Sequence, residues 1–139
     1  IARGVDPSRL IFALREPTRA GHLSRLRLAD LFLDTTFFNA HTTAADALWA
    51  GVPVLTILGN TFASRVAASM LTSLGMLEMI VNSKDEYFNK ALDLAEHPEK
   101  MAQAKARQEE NRLSTALFDT KQYVKDIESL YVTAINKQH

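Results

Sequence analysis

The 139-residue chain contains no cysteine. That excludes a disulfide framework, thiol catalysis and any cysteine-ligated metal within these residues. It also lacks net charge, with sixteen basic side chains balanced by sixteen acidic ones. A chain so balanced presents no broad counterion-releasing surface, so no nucleic-acid partner is expected, whereas a small phosphate-bearing ligand needs only local positive charge. No apolar run approaches the ~20 residues of a membrane-spanning helix, and no charged-then-apolar leader opens the sequence. No membrane partner is expected, and the default location is cytoplasmic. The histidines His22, His41, His97 and His139 are far apart and form no His-x-x-x-His or His-Glu-x-x-His unit, so no metal site is assigned. Neither Gly-x-Gly-x-x-Gly nor Gly-Lys-Ser/Thr occurs, which weakens the usual dehydrogenase and P-loop readings.

What is present is a globular composition, 47% apolar, in which short apolar runs alternate with helical spacing. Strands are expected at Leu10–Leu14, at Leu31–Leu33, at Val54–Leu58 and near Leu77–Val81. Helices are expected over Gly21–Leu28, with Leu23, Leu26 and Ala29 as the apolar stripe, and from Thr43 to Ala50, ended by Gly51 and Pro53. Another opens at Thr61 or Ser64, runs through Arg65 and stops at Gly75. Ser83 followed by Glu86 matches a capping box for a helix reaching about His97; Pro98 starts the next, to about Arg112. The last helix begins at Phe118-Asp119-Thr120, with Tyr123, Ile127, Leu130 and Tyr131 on one face. This order predicts an α/β, Rossmann-like parallel sheet with helices on both faces. Residues 1–118 form the body of a nucleotide-binding lobe and 119–139 its C-terminal helix. Ile1 is no initiator methionine, and the expected first strand has no inner neighbour, so the sequence reads as part of something longer.

In an open parallel sheet, ligands sit beyond the carboxyl ends of the strands. Asn39-Ala40-His41-Thr42-Thr43 has that position, at the start of a helix. Thr42 and Thr43 offer hydroxyls and N–H groups suited to phosphate, or serve only as a cap. His41 is placed to donate to a phosphate or to a leaving oxygen. Asp46, expected in the favourable first turn, accepts from ribose or caps its own helix. Gly59-Asn60-Thr61 is an equivalent turn after the next strand, with Arg65 close by to meet an anion or a surface carboxylate. Arg15, Arg19, His22, Arg25 and Arg27 gather after the first strand, and Arg19, His22 and Arg25 share a helix face as a phosphate clamp or as solvated surface. Phe37 and Phe38 are expected to pack rather than to stack on a base, and Trp49 to lie in the core or at an interdomain contact.

Longer blocks carry a resemblance. Leu33-Asp34-Thr35, Asn39-Ala40-His41-Thr42-Thr43 with Asp46, Leu48-Trp49-Ala50-Gly51-Val52-Pro53, Ala63-Ser64-Arg65-Val66-Ala67-Ala68-Ser69, Leu74-Gly75, Glu86-Tyr87 and Leu117-Phe118-Asp119-Thr120-Lys121-Gln122-Tyr123 resemble the C-terminal catalytic lobe of the O-linked N-acetylglucosamine transferases and their bacterial relatives. The resemblance implies the C-terminal part of the second lobe of a type B glycosyltransferase. It also implies an inverting, metal-independent transfer of N-acetylglucosamine or another hexose from a UDP-sugar to protein Ser/Thr hydroxyls. The UDP-sugar is a substrate and no cofactor is implied. The protein or peptide acceptor would be met through another lobe and tetratricopeptide repeats. Carried over by motif, His41, Thr42 and Thr43 contact the diphosphate and sugar, Asp46 the ribose, and His22 and Arg25 flank the nucleotide. Arg19 stands where the family usually has lysine, and Ala40 where it usually has glycine. Two alternatives stay open: a related type B transferase or UDP-sugar epimerase with a non-protein substrate, and a non-catalytic nucleotide-sugar-binding scaffold.

Overall fold

A computed structural model describes residues 4–137. Three strands, β1 (Phe32–Leu33), β2 (Val54–Ile57) and β3 (Ile80–Val81), form one parallel sheet in the order β1-β2-β3. Phe32 is in register with Val54 and Thr56 with Ile80. The helices are α1 (Arg19–Leu26), α2 (Thr42–Ala50), α3 (Val66–Ser73), α4 (Lys84–Glu96), α5 (Pro98–Arg112) and α6 (Thr120–Asn136). The crossovers β1-α2-β2 and β2-α3-β3 are the units that parallel pairing requires.

β2 is the centre. Val54, Leu55 and Thr56 are each 0% exposed, so both faces of its pleat are covered, as expected for a parallel sheet. Around it Leu48, Leu71, Leu74, Met76 and Met79 are fully buried, each large side chain contributing roughly 1.5–3 kcal/mol of transfer free energy. Ala44, Ala47, Ala67 and Ala68 supply the small surface through which α2 and α3 approach the sheet.

Three expectations are corrected here. The expected first strand, Leu10–Leu14, is not a strand: Ile11, Phe12 and Leu14 are almost fully solvated, because among the described residues no strand lies beside this stretch to take its hydrogen bonds or cover its side chains. The fourth expected strand shrinks to Ile80–Val81, the preceding Leu77–Met79 being a single 3-10 turn. On α6, Tyr123, Leu130 and Tyr131 share a face as expected, yet they remain exposed, for α6 touches little but the turn before it.

The helix ends follow local chemistry. Gly51 stops α2 in the left-handed conformation at φ 87°. Ser83 accepts from the Glu86 N–H, but the Glu86 carboxylate accepts from Asn82 N–H rather than from Ser83, so the capping box is shifted by one residue on its return side. Asp119 caps α6 through the Lys121 and Gln122 N–H groups. The carbonyl ends of two other helices are met by α5: Gln108 donates to Leu48 O and Arg112 to Trp49 O at the end of α2, while Asn111 donates to Leu74 O at the end of α3. Trp49 O and Leu74 O thereby gain partners that their helices do not provide, and Leu48 O gains a second one beside the Gly51 N–H.

A Cβ at residue 51 would have open space, its nearest neighbour being Glu109 Oε2 at 3.9 Å, so the cost of adding one is conformational. Gly51→Ala is expected to lower unfolding free energy by about 1–2 kcal/mol, read by urea titration. A loss below a few tenths would show that the helix end does not need this conformation.

Candidate functional site

The carboxyl ends of β1 and β2 open into two loops that meet. After β1, residues 34–40 fold back to deliver His41 to the start of α2; after β2, Gly59-Asn60-Thr61 leads into a 3-10 turn at Phe62–Ser64. The loops are joined by the Asn39 N–H, which donates to Ala63 O at 2.8 Å. Gly59 is needed for this packing, since a Cβ there would lie 2.4 Å from Ser64 Cβ. Thr61 and Ser64 cap each other reciprocally, so Thr61 opens the 3-10 turn and α3 begins only at Val66. Arg65 donates to Gly59 O rather than pairing with a carboxylate.

At the start of α2 the cap position is taken by His41, at φ −96° and ψ −94°, and no side chain accepts from the first N–H groups of the helix. Neither Thr42 nor Thr43 is therefore the cap. Both are inside the first turn with exposed hydroxyls. The outcome is a helix N-terminus whose donors are free to meet an anion. His41 Nε2 is buried and has no hydrogen-bond partner. Its ring is held by aromatic neighbours instead, stacked on Phe38 at 4.8 Å between centroids and met edge-on by Phe62 at 6.2 Å. Of Phe37 and Phe38, both expected to pack, Phe38 packs against the His41 ring. Both are exposed, because the turn that reaches His41 points them along the rim.

Asp46 lies beyond the first turn of α2, so it neither caps the helix nor sits where its N-terminal donors point. Its carboxylate faces α1, 3.5 Å from Arg19 Nη2 and 3.5 Å from His22 Nε2. Arg25 extends this set, with Nη2 3.2 Å from His22 Nδ1 and Nη1 donating to Leu14 O. Arg19, His22, Arg25 and Asp46 are therefore one polar cluster between α1 and α2, beside the His41 turn. Arg15 and Arg27 are exposed and outside it. Trp49 lies at the rim, its ring edge-on to Phe118 at 5.1 Å with the Arg112 guanidinium 5.3 Å from its centroid. Ala40 fits without penalty, as no non-glycine among the described residues has positive φ. Among the described residues no three His, Asp or Glu side chains converge as metal ligands would.

One participant escaped the sequence reading. Asp34, 5% exposed, accepts from the N–H groups of Thr35 at 2.8 Å and Ala40 at 2.7 Å through Oδ1, and from Thr56 Oγ1 at 2.7 Å through Oδ2. Its backbone oxygen accepts from the Tyr87 hydroxyl at 2.9 Å. The available signal was an acidic residue closing an apolar strand, where a buried charge must find donors. Burial, and secondly the Asp34 charge, push the Tyr87 hydroxyl up from 10.0 to about 12.

A parallel sheet flanked by helices, with an uncapped helix N-terminus and a helix carrying Arg19, His22 and Arg25 beside it, defines an α/β lobe. The chain belongs to glycosyl transferase family 41, whose family model matches residues 1–127. It is 40% identical over 130 residues to a UDP-N-acetylglucosamine–peptide N-acetylglucosaminyltransferase of Caenorhabditis elegans, covering 94% of this chain and 11% of that protein. It is 41% identical over 131 residues to a probable enzyme of the same name, SEC, of Arabidopsis thaliana, covering 94% and 13%. The fold matches an O-GlcNAc transferase mutant of Thermobaculum terrenum with a TM-score of 0.85 and 29% identity, over 94% of this chain and 25% of that one. The chain thus spans a minor part of the length of each relative.

Tyr87→Phe is expected to cost about 1 kcal/mol at neutral pH, the worth of the bond to Asp34 O. Because the folded-state value is raised, that contribution is complete below pH 10, falls as the unfolded chain ionises first, and is gone as pH passes about 12. Urea titrations of both proteins across this range test it: a difference that does not shrink with rising pH would overturn the assignment.

Proposed function

We propose that this chain supplies the donor-binding lobe of an inverting glycosyltransferase that moves N-acetylglucosamine, or another hexose, from a UDP-sugar to protein Ser/Thr hydroxyls. The observation that carries the reading is the start of α2, where the first N–H groups have no side-chain cap, Thr42 and Thr43 are exposed, and the neighbouring His41 keeps a buried Nε2 without a partner. A diphosphate satisfies all of them at once. Membership of glycosyl transferase family 41, and the printed activity of the relatives, support UDP-sugar as donor and a peptide as acceptor.

The chemistry follows from that seat. The acceptor oxygen attacks the anomeric carbon from the face opposite UDP, the glycosidic C–O bond breaks, and its electron pair leaves on the β-phosphate. Donors fixed at the helix start stabilise this growing charge without having to reorganise. His41, in the tautomer with its proton on Nε2, adds a donor at the same point, and Thr42 and Thr43 act with it. Arg19, His22 and Arg25 flank the nucleoside, and Asp46 exchanges its bonds to Arg19 and His22 for the ribose hydroxyls. The base that takes the acceptor proton, the acceptor-binding surface and any tetratricopeptide repeats belong outside these residues. The transfer needs no metal and takes place in the cytoplasm. Among the described residues no helix is long and apolar enough to cross a membrane.

Calorimetric titration with UDP tests the seat. His41→Ala and Thr43→Ala are each expected to weaken UDP binding by about tenfold or more, one or two charge-assisted bonds' worth. Undiminished binding in both would sink the proposal. Excess EDTA is expected to leave the affinity unchanged; a loss reversed by magnesium would refute the metal-free mechanism. The chain alone is expected to bind UDP yet transfer no sugar to a peptide library.

A further inference from the structure

The side chains at the mouth of the seat do not hold themselves in place. His41 has no hydrogen bond at Nε2, and its ring rests on Phe38, a member of the turn that begins at Asp34. That turn is fixed to the sheet by one charged group. Asp34 Oδ2 is tied to β2 by Thr56 Oγ1 at 2.7 Å, and Oδ1 gathers the N–H groups of Thr35 and Ala40, five residues apart at the two ends of the turn. Asn39, 0% exposed, adds its Nδ2 bond to Thr35 O at 2.9 Å. Ala40 is the residue before His41. Whatever places its N–H also places the imidazole and the first donors of α2.

We propose that Asp34 is the positioning residue of the UDP seat: by holding the Thr35 and Ala40 N–H groups on one carboxylate oxygen, it aims His41 and the α2 N-terminus at the diphosphate. This rests on the UDP reading above. A carboxylate suits the task because one oxygen accepts two N–H groups while the other is anchored to the sheet, and because charge-assisted bonds are shorter and stronger than neutral ones. Purely structural duty at this place would stabilise the sheet without governing the ligand.

The two roles separate by experiment on the 139-residue chain, with UDP as calorimetric probe and the nuclear Overhauser contact between the Phe38 and His41 rings as a readout independent of ligand. Asp34→Asn keeps an acceptor but loses the charge, and is expected to weaken UDP by about three- to tenfold and to reduce the ring contact. Asp34→Ala leaves both N–H groups without an acceptor and is expected to weaken UDP beyond that and abolish the contact. Tyr87→Phe, which removes the bond to the Asp34 backbone but none to its carboxylate, is expected to lower the melting temperature while leaving affinity within about twofold and the contact intact. Asp34 variants that are folded by circular dichroism, bind UDP within about twofold of the parent and retain the ring contact would overturn the proposal. Should Asp34→Ala fail to fold, Asp34→Asn decides by the same criteria. Should the parent chain itself not bind UDP, the UDP reading fails on its own, and the ring contact in Asp34→Asn still decides the positioning role.

Discussion

At the end of β1 a buried carboxylate, Asp34, takes hydrogen bonds from Thr35, Ala40 and Thr56, while its carbonyl takes one from Tyr87. A charge nearly removed from water is tolerable only when such donors surround it, and here they come from the turn and from β2, while α4 holds the backbone oxygen beside it. The sheet, the loop that leads to His41 and a helix distant in sequence are thus locked by the same few atoms. Remove the carboxylate and the Thr35 and Ala40 N–H groups lose their shared acceptor, in the stretch that leads to the start of α2. The arrangement also explains why the turn tolerates exposed phenylalanines: its place is fixed from below by polar bonds, which leaves its outer side chains free to line the rim.

A second constraint comes from α5. Gln108, Asn111 and Arg112 reach the carbonyl ends of α2 and α3, so the two crossover helices are held at their far ends by one element while their N-terminal ends stay open. Helix termini must find partners for their unpaired groups. In this fold the carbonyl ends of α2 and α3 are met by α5, while neither N-terminus has a side-chain cap, and that of α2 opens at His41. Trp49, between Phe118 and Arg112, fastens the approach to α6 against the same helix.

Much of the fold was legible in the sequence. The β1 and β2 segments, α2 with its stop at Gly51, α4, α5 and the start of α6 all follow from periodicity and from glycine, proline, serine and aspartate at the boundaries. These are local signals, and local geometry decides them. The misjudged elements depended on neighbours. Leu10–Leu14 has strand composition, but a strand exists only where another chain segment pairs with it, and none among the described residues does. Thr42 and Thr43 have the chemistry of a cap, yet the helix starts one residue too early for either to serve as one. Phe37 and Phe38 have the composition of a core, but the turn faces them to solvent.

By itself the sequence determined the class of fold, the place of the candidate seat at the carboxyl end of a strand and, through its motif blocks, the resemblance to a glycosyltransferase family. Those depend on residue type and spacing along the chain. Only the tertiary structure decided that Asp46 turns toward Arg19 and His22 on α1, that His41 keeps a buried nitrogen unpartnered, and that Asp34, which no spacing rule singles out, holds the turn between them. Each of these is a meeting of groups from separate elements, brought together by packing around β2, and the bonds that result exist only once the helices are in place.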